Sequence, residues 1–357
     1  MIEPVNVFEF EAFARERIKA NAWDYITGGA EDEITLRENR AAFERTFLRP
    51  RYLVDASQRD LSTNVLGTKI PFPLMLAPTA YQKFAHPEGE CETARGAGAL
   101  GIPMMLSTLA TRTMEDVARA ATSPLWYQLY MMKDKGVNEW LVRRAERNHF
   151  RAIVLTVDAT FGANRERDRR NKLSFAQVHV ENLLARTDDA PTAIIKAAHY
   201  EELAWKDDLT WRDVEWLRQK TKLPIVIKGL LTAEDAQLAF DHGAAAIVVS
   251  NHGGRQLDGA PASLDVLPEI ADAVGARLEI YLDGGVRRGA DILKAVALGA
   301  RAVCIGRPYI WGLAADGARG VQRVIELLRD EFDTAMALTG KRSVSDLDKT
   351  MIWRRMN

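Results

Sequence analysis

Eight short apolar runs recur along the chain, and each is followed by a stretch with the apolar spacing of a helix. The runs are Leu74–Ala77, Met104–Ser107, Trp126–Tyr130, Ala152–Asp158, Ile225–Lys228, Ala246–Ser250, Leu278–Asp283 and Ala302–Gly306. Near-continuous apolar strands belong in a parallel sheet covered on both faces. Between them lie amphipathic stretches such as Glu88–Leu100, Met114–Ala121, Val137–Asn148, Ala233–Asp241 and Gly289–Leu298. Eight strand–helix units over 357 residues predict an α/β fold, a (β/α)8 TIM barrel, with a doubly wound sheet as the structural alternative. The chain reads as one domain: residues 1–72 as an N-terminal helical arm, 73–312 as the barrel core and 313–357 as C-terminal helices. Leu173–Leu209 is long, polar and weakly periodic, and reads as a lid or mobile loop after strand 4.

Hydrogen-bonding residues gather at one end of all eight runs. Pro78-Thr79-Ala80 follows the first, Ser107 ends the second, Gln128 and Tyr130 the third, and Thr156 with Asp158 the fourth. Lys228 ends the fifth, and Ser250-Asn251-His252-Gly253-Gly254-Arg255-Gln256 follows the sixth. Asp283-Gly284-Gly285-Val286-Arg287 and Gly306-Arg307 complete the set. Barrels of this kind place their chemistry at the C-terminal ends of the strands. His252 is a base suited to neutral pH, and Arg255 three residues later can grip a carboxylate with two hydrogen bonds. Gly284 and Gly285 let backbone approach a ligand, and with Arg287 and Arg307 they predict a phosphate site in loops 7 and 8. Lys228 is a buried ammonium that needs an electron-rich partner, either a carboxylate or a ring that gains charge on reduction. Asp158 likewise closes an apolar run and needs a partner.

Composition excludes several classes. The chain is 47% apolar and 27% charged with a net charge of −1, which gives no global attraction to nucleic acid or an anionic membrane. It lacks an apolar run of membrane-spanning length. The opening MIEPVNVFEFEAFARERIKA does not read as a secretory signal, WRRMN is not a peroxisomal address, and a cytoplasmic location is the expectation. Cys91 and Cys304 fit neither a disulfide framework nor a metal spacing, so no metal is expected. His86, His149, His179, His199 and His242 read as structural, His86 with a secondary claim to lie near the site. By spacing alone Tyr25 reads as packing, and Arg165 as one of a solvated charge run.

The chain resembles the FMN-dependent α-hydroxy-acid oxidase and dehydrogenase family. Its motifs run from Asp24-Tyr25 and Gly28-Gly29-Ala30-Glu31-Asp32-Glu33, through Asn39-Arg40 and Arg49-Pro50-Arg51, to Gly306-Arg307, with the Ser250–Gln256 run as signature. The resemblance implies His252 as base and Asp158 as its orienting carboxylate. It implies Arg255, Arg165, Tyr25 and Tyr130 around the substrate. It implies FMN against Pro78, Thr79 and Ala80, with Ser107, Gln128, Thr156, Lys228, Ser250 and Asp283 around it and the phosphate at Gly284, Gly285, Arg287, Gly306 and Arg307.

The implied reaction is oxidation of an (S)-2-hydroxy acid to the 2-oxo acid, with O2 as acceptor and hydrogen peroxide as product. A quinone or cytochrome acceptor is the alternative, and a monooxygenase a third. Leu109, where glycolate-preferring relatives tend to carry a bulky aromatic, leaves room for a substituent at C2. Lactate ranks first and aromatic 2-hydroxy acids such as mandelate second. Ala159-Thr160-Phe161 departs from the family's frequent proline and alters the pocket wall. A flavin-dependent isomerase is the rival of another class, and an inert FMN-binding barrel a further one. The resemblance also implies a homotetramer.

Overall fold

The computed structural model describes residues 4–172, 179–185, 187–197, 199 and 202–354. Eight parallel strands close into a barrel: β1 Leu74–Leu76, β2 Met104–Leu106, β3 Leu125–Leu129, β4 Ile153–Thr156, β5 Ile225–Leu230, β6 Ala246–Val249, β7 Glu279–Asp283 and β8 Ala302–Ile305. Each pairs with its sequence neighbour, and β8 pairs with β1 to complete the circle. All eight lie within two residues of the apolar runs at each end, and β4 stops at Thr156, leaving Asp158 in the following turn. The (β/α)8 expectation therefore holds.

Alternation along the strands sorts two cores. Met75, Met105, Trp126, Val154, Val226, Val248, Tyr281 and Cys304 point inward and fill the barrel. Their neighbours Leu76, Leu106, Tyr127, Leu155, Ile227, Val249, Leu282 and Ile305 point outward against the helices. Following the inward face up each strand leads from these residues to Ser107, Gln128, Thr156, Lys228, Ser250 and Asp283, all buried. The pleat itself thus converts the top layer of an apolar core into a polar floor. At the opposite end a hairpin, Thr63–Val65 paired with Thr68–Ile70, closes the barrel. Leu66 N–H and the Tyr281 hydroxyl both donate to Glu279 there, at 3.0 and 2.6 Å.

Helices α1 Val7–Arg17, α2 Ala20–Thr27 and α3 Ile34–Glu44 form the arm. Asn39 of α3 and Asn251 of the signature run exchange side-chain amide hydrogen bonds at 2.8 Å in both directions, each buried. Arg40 donates to the Gly285 carbonyl at 2.8 Å and pairs with Asp291. A side chain at Gly285 would lie 2.1 Å from the Asn39 carbonyl oxygen, so the close approach of α3 requires glycine there. The helix Arg307–Leu338 is broken at Asp316 and Gly317, and α1 packs along it.

Within the 173–209 segment, residues 173–178, 186, 198, 200 and 201 lie outside the described residues, and Trp205 lines the cavity at the strand ends. Short helices Glu181–Leu184 and Thr192–Lys196 bury Leu183 and Ile194. Asn182 is wholly buried, accepting from Met114 N–H and donating to the Thr108 carbonyl. Apolar residues spaced for such short helices leave little periodicity in the sequence, which is why the packing was not visible there.

Because Asn39 joins the arm to the signature loop, Asn39→Ala strips buried partners from Asn251. We expect a loss of about 1–3 kcal/mol, measured as a lowered midpoint in thermal or chemical unfolding.

Candidate active site

The C-terminal ends of the strands surround a cavity of about 440 Å3, a size in the usual range for a cofactor or substrate pocket. Pro78, Thr79, Ala80, Ser107, Lys228, Asp283, Gly284, Gly285, Arg287, Gly306 and Arg307 line it together with Tyr25, Tyr130, Arg165, His252 and Arg255. Gln128, Thr156 and Ser250 lie one layer behind. Gln128 accepts from Ser107 at 3.3 Å and donates to Thr156 at 3.0 Å, and Ser250 accepts from Lys228 at 2.9 Å.

His252 sits at φ 59 and is followed by Gly253 and Gly254, also at positive φ. Non-glycine residues seldom adopt that conformation, and where they do the surrounding structure enforces it. Here Asn251 accepts from Gly254 N–H at 3.1 Å, and Ser250 Oγ from His252 N–H at 3.1 Å, which locks the turn. The ring is thereby aimed at Asp158, whose Oδ1 lies 2.9 Å from Nδ1. Burial works against the charge on Asp158, but His252 and Lys228 outweigh it and hold the carboxyl below its usual range. An ionised carboxylate only accepts, so Nδ1 carries the proton and Nε2 keeps its lone pair. Burial also lowers the pKa of His252, with Asp158 opposing, so the ring is neutral at pH 7. The Tyr130 hydroxyl lies 3.4 Å from Nε2.

Gly229 was not among the site residues expected from the sequence. It follows Lys228 at an irregularity in β5, has φ 116, and would carry a Cβ 2.6 Å from that of Asp158. Only glycine leaves room for the carboxylate. A glycine interrupting an apolar strand was the available signal.

The cations are held in two ways. Lys228 pairs with Asp283 at 3.1 Å; burial opposes its charge, but Asp283 and Asp158 prevail and raise its pKa. The arginines Arg165, Arg255, Arg287 and Arg307 form no ion pair with a carboxylate among the described residues; backbone carbonyls and one amide oxygen receive them instead. Arg255 donates to the carbonyls of Tyr25 and Gly28, and its guanidinium lies 4.6 Å over the Tyr25 ring. Arg307 donates to Ile26, Gly28 and Gly253 at 3.0, 2.9 and 3.0 Å. These carbonyls include the last of α2, where the helix carries partial negative charge. Burial lowers Arg287 to about 10 and lowers Arg307 as well, with Arg255 and Arg287 adding repulsion in the latter case.

Tyr25, expected as packing, faces the cavity from α2 and stacks edge-on against Tyr81 at 5.6 Å. Arg165, expected as solvated, caps the short helix Glu166–Arg170 and reaches the Arg255 carbonyl and Gln256 at 3.1 and 2.9 Å. His86 is not near the site; it lines a surface hollow at the break of the Arg307–Leu338 helix. Two of the cavity residues not expected from the sequence are Cys304 and Trp205. Cys304 lines the floor, and Trp205 meets Tyr130 edge-on at 5.6 Å. A bridge between Met132 and Trp205 fixes the latter, a long-range pairing with no local signature.

These residues fit FMN. Two part-buried guanidiniums, Arg287 and Arg307, without a carboxylate partner among the described residues suit a phosphate. Asp283 Oδ1 is buried without a partner among the described residues and lines the cavity, as an acceptor for a hydroxyl-bearing chain would. Lys228 places a cation in the floor between them. No group of side chains suited to a metal occurs among the described residues, and no helix there is long and apolar enough to cross a membrane.

The model of the FMN-dependent dehydrogenase family matches residues 14–354. The chain is 49% identical over 357 residues to L-lactate oxidase of Nostoc sp., covering 98% of each sequence. It is 47% identical to glycolate oxidase of Spinacia oleracea, covering 98% of this chain and 96% of that one. Among solved structures, mandelate oxidase with (S)-2-phenylpropionate superposes with a TM-score of 0.89 at 40% identity, over 99% of each chain. With the match spanning arm and barrel alike, the chain belongs to the FMN-dependent dehydrogenase family.

Proposed function

We propose that this protein oxidises an (S)-2-hydroxy acid to the 2-oxo acid, using FMN and passing electrons to O2 with release of hydrogen peroxide. One observation carries the reading: a neutral, carboxylate-oriented imidazole and the Arg165–Arg255 pair line the same cavity as Lys228. FMN supplies the two-electron sink when bound. His252 takes the substrate's hydroxyl proton at Nε2, and Asp158 stabilises the imidazolium so formed. Arg255 and Arg165 clamp the substrate carboxylate, with Tyr25 and Tyr130 donating from either side. Thr79, Ala80 and Lys228 would hold the cofactor ring, and Arg287 and Arg307 its phosphate. Gln128, Thr156 and Ser250 act from behind by fixing Ser107 and Lys228.

Lactate is the first substrate in this reading, supported by the similarity to a lactate oxidase. The apolar wall formed by Leu109, Phe161 and Trp205 supports a second, an acid with a bulkier or aromatic substituent. The chain acts as one domain, in the cytoplasm and as a homotetramer.

Mixing the purified protein anaerobically with L-lactate, mandelate and glycolate, and following loss of flavin absorbance, tests the reaction; admitting O2 and assaying peroxide tests the acceptor. His252→Gln is expected to retain flavin while flavin reduction falls by roughly 10²–10⁴ or more, and near-wild-type reduction would remove His252 as base. Arg255→Met is expected to weaken substrate binding by about 2–5 kcal/mol, read as a rise in the substrate dissociation constant.

The pH dependence has a definite sign. A base must be neutral to act, so flavin reduction falls as pH drops through the His252 pKa, which burial sets below 6.5. Asp158 raises that pKa, so Asp158→Asn moves the acid limb to still lower pH while the plateau falls. A limb that moved upward would contradict this arrangement.

A further inference from the structure

A second chamber, about 230 Å3 in volume, adjoins the phosphate end of the main cavity. Gly285, Arg287 and Arg307 face both. Its far side carries Glu11 of α1, Arg40 and Trp311. The chamber is several times the roughly 30 Å3 share of one water, so it has room for a phosphate group. Its charges are unevenly matched. Arg40 is already paired with Asp291 and Glu44. Arg287 and Arg307 have no carboxylate partner among the described residues, and Arg287 instead lies 4.8 Å over the Trp311 ring. Trp311 Nε1 is buried without an acceptor among the described residues. Glu11 is the acid that faces these groups, it makes no ion pair among the described residues, and burial raises its pKa against the pull of Arg287 and Arg307.

A half-buried carboxylate beside an anion site lowers the affinity for any anion, and most for one that brings more negative charge close to it. A phosphate monoester in the main cavity takes up Arg287 and Arg307 from one side. A second phosphate joined to it would enter the chamber and meet the carboxylate directly, where like charges repel. We propose that Glu11 restricts the phosphate end of the cavity to a single phosphate group and bars a diphosphate. The inference rests on the FMN reading of the main cavity.

The full chain, stripped of flavin, is titrated with FMN by fluorescence quenching, with inorganic phosphate and pyrophosphate as competitors. Pyrophosphate needs no space for a nucleoside, so it reports on charge at the chamber alone. In Glu11→Gln and in Glu11→Ala, pyrophosphate is expected to gain roughly fivefold or more over phosphate, and FAD to gain on FMN in the same direction. FMN affinity itself should hold or rise. An unchanged pyrophosphate-to-phosphate ratio in both variants would overturn the proposal. So would a loss of FMN affinity with riboflavin affinity intact, since Glu11 would then be positioning the guanidiniums. A wild-type chain that bound no FMN would overturn the function reading along with it; FMN binding with an unchanged ratio would overturn this inference alone.

Discussion

Two arginines, Arg255 and Arg307, are drawn out of water and held by the carbonyls at the C-terminal end of α2. Nearly everything else in the site follows from that contact. A carboxylate in the same position would cancel each charge and leave little attraction for an anionic ligand. Carbonyl oxygens satisfy the N–H groups and supply only partial negative charge, so the net positive potential survives burial. The arm is therefore part of the site. Its α2 receives the guanidiniums, and its α3 clips the signature loop through Asn39 and Asn251. The barrel alone would present the arginines without the acceptors that make burying them tolerable.

The barrel and the polar ends of its strands were legible because both are written in local periodicity. Alternation from Val226 to Lys228, or from Tyr281 to Asp283, carries one face from apolar filling to functional floor without a break in the strand. His252, Arg255 and the glycines around them were legible because one short run holds them. Tyr25, Arg165, Gly229 and Trp205 were not. Each owes its place to a partner distant in sequence: Tyr25 to Arg255, Arg165 to the Arg255 carbonyl and Gln256, Gly229 to Asp158, and Trp205 to Met132. Spacing along a chain records which face a residue occupies, and it is silent about which other element will lie against that face. For Tyr25 and Arg165 the family resemblance supplied what periodicity withheld. It supplied no comparable pointer to Gly229 or Trp205.

The same logic applies to the segment beyond strand 4. Its polar composition suggested a lid or mobile loop, and composition did not show that Asn182 within it is buried by hydrogen bonds to the backbone around Thr108 and Met114. A polar side chain that satisfies backbone groups inside the protein looks, in sequence, identical to one that faces water. Trp205, near the end of the segment, reaches the cavity wall because main-chain bonds from Lys133 and Lys206 fix its flanks.

The two modes of charge compensation divide the cavity by task. In the middle, Lys228 is matched by Asp283 and held near Asp158, so that region is close to neutral and its hydrogen-bonding groups are set in place before any ligand arrives. Around it, Arg165, Arg255, Arg287 and Arg307 have no carboxylate partner among the described residues, and Arg255 and Arg307 share the Gly28 carbonyl. A cavity compensated at its centre and positive around it favours an occupant, or a pair of occupants, that carries anionic groups on a polarisable body. A cofactor phosphate on Arg287 and Arg307 and a substrate carboxylate on Arg165 and Arg255 would meet that requirement, with Lys228 and His252 lining the same cavity. Orientation then comes largely from where the charges are left uncancelled, which leaves the imidazole and its carboxylate to deal with a single proton.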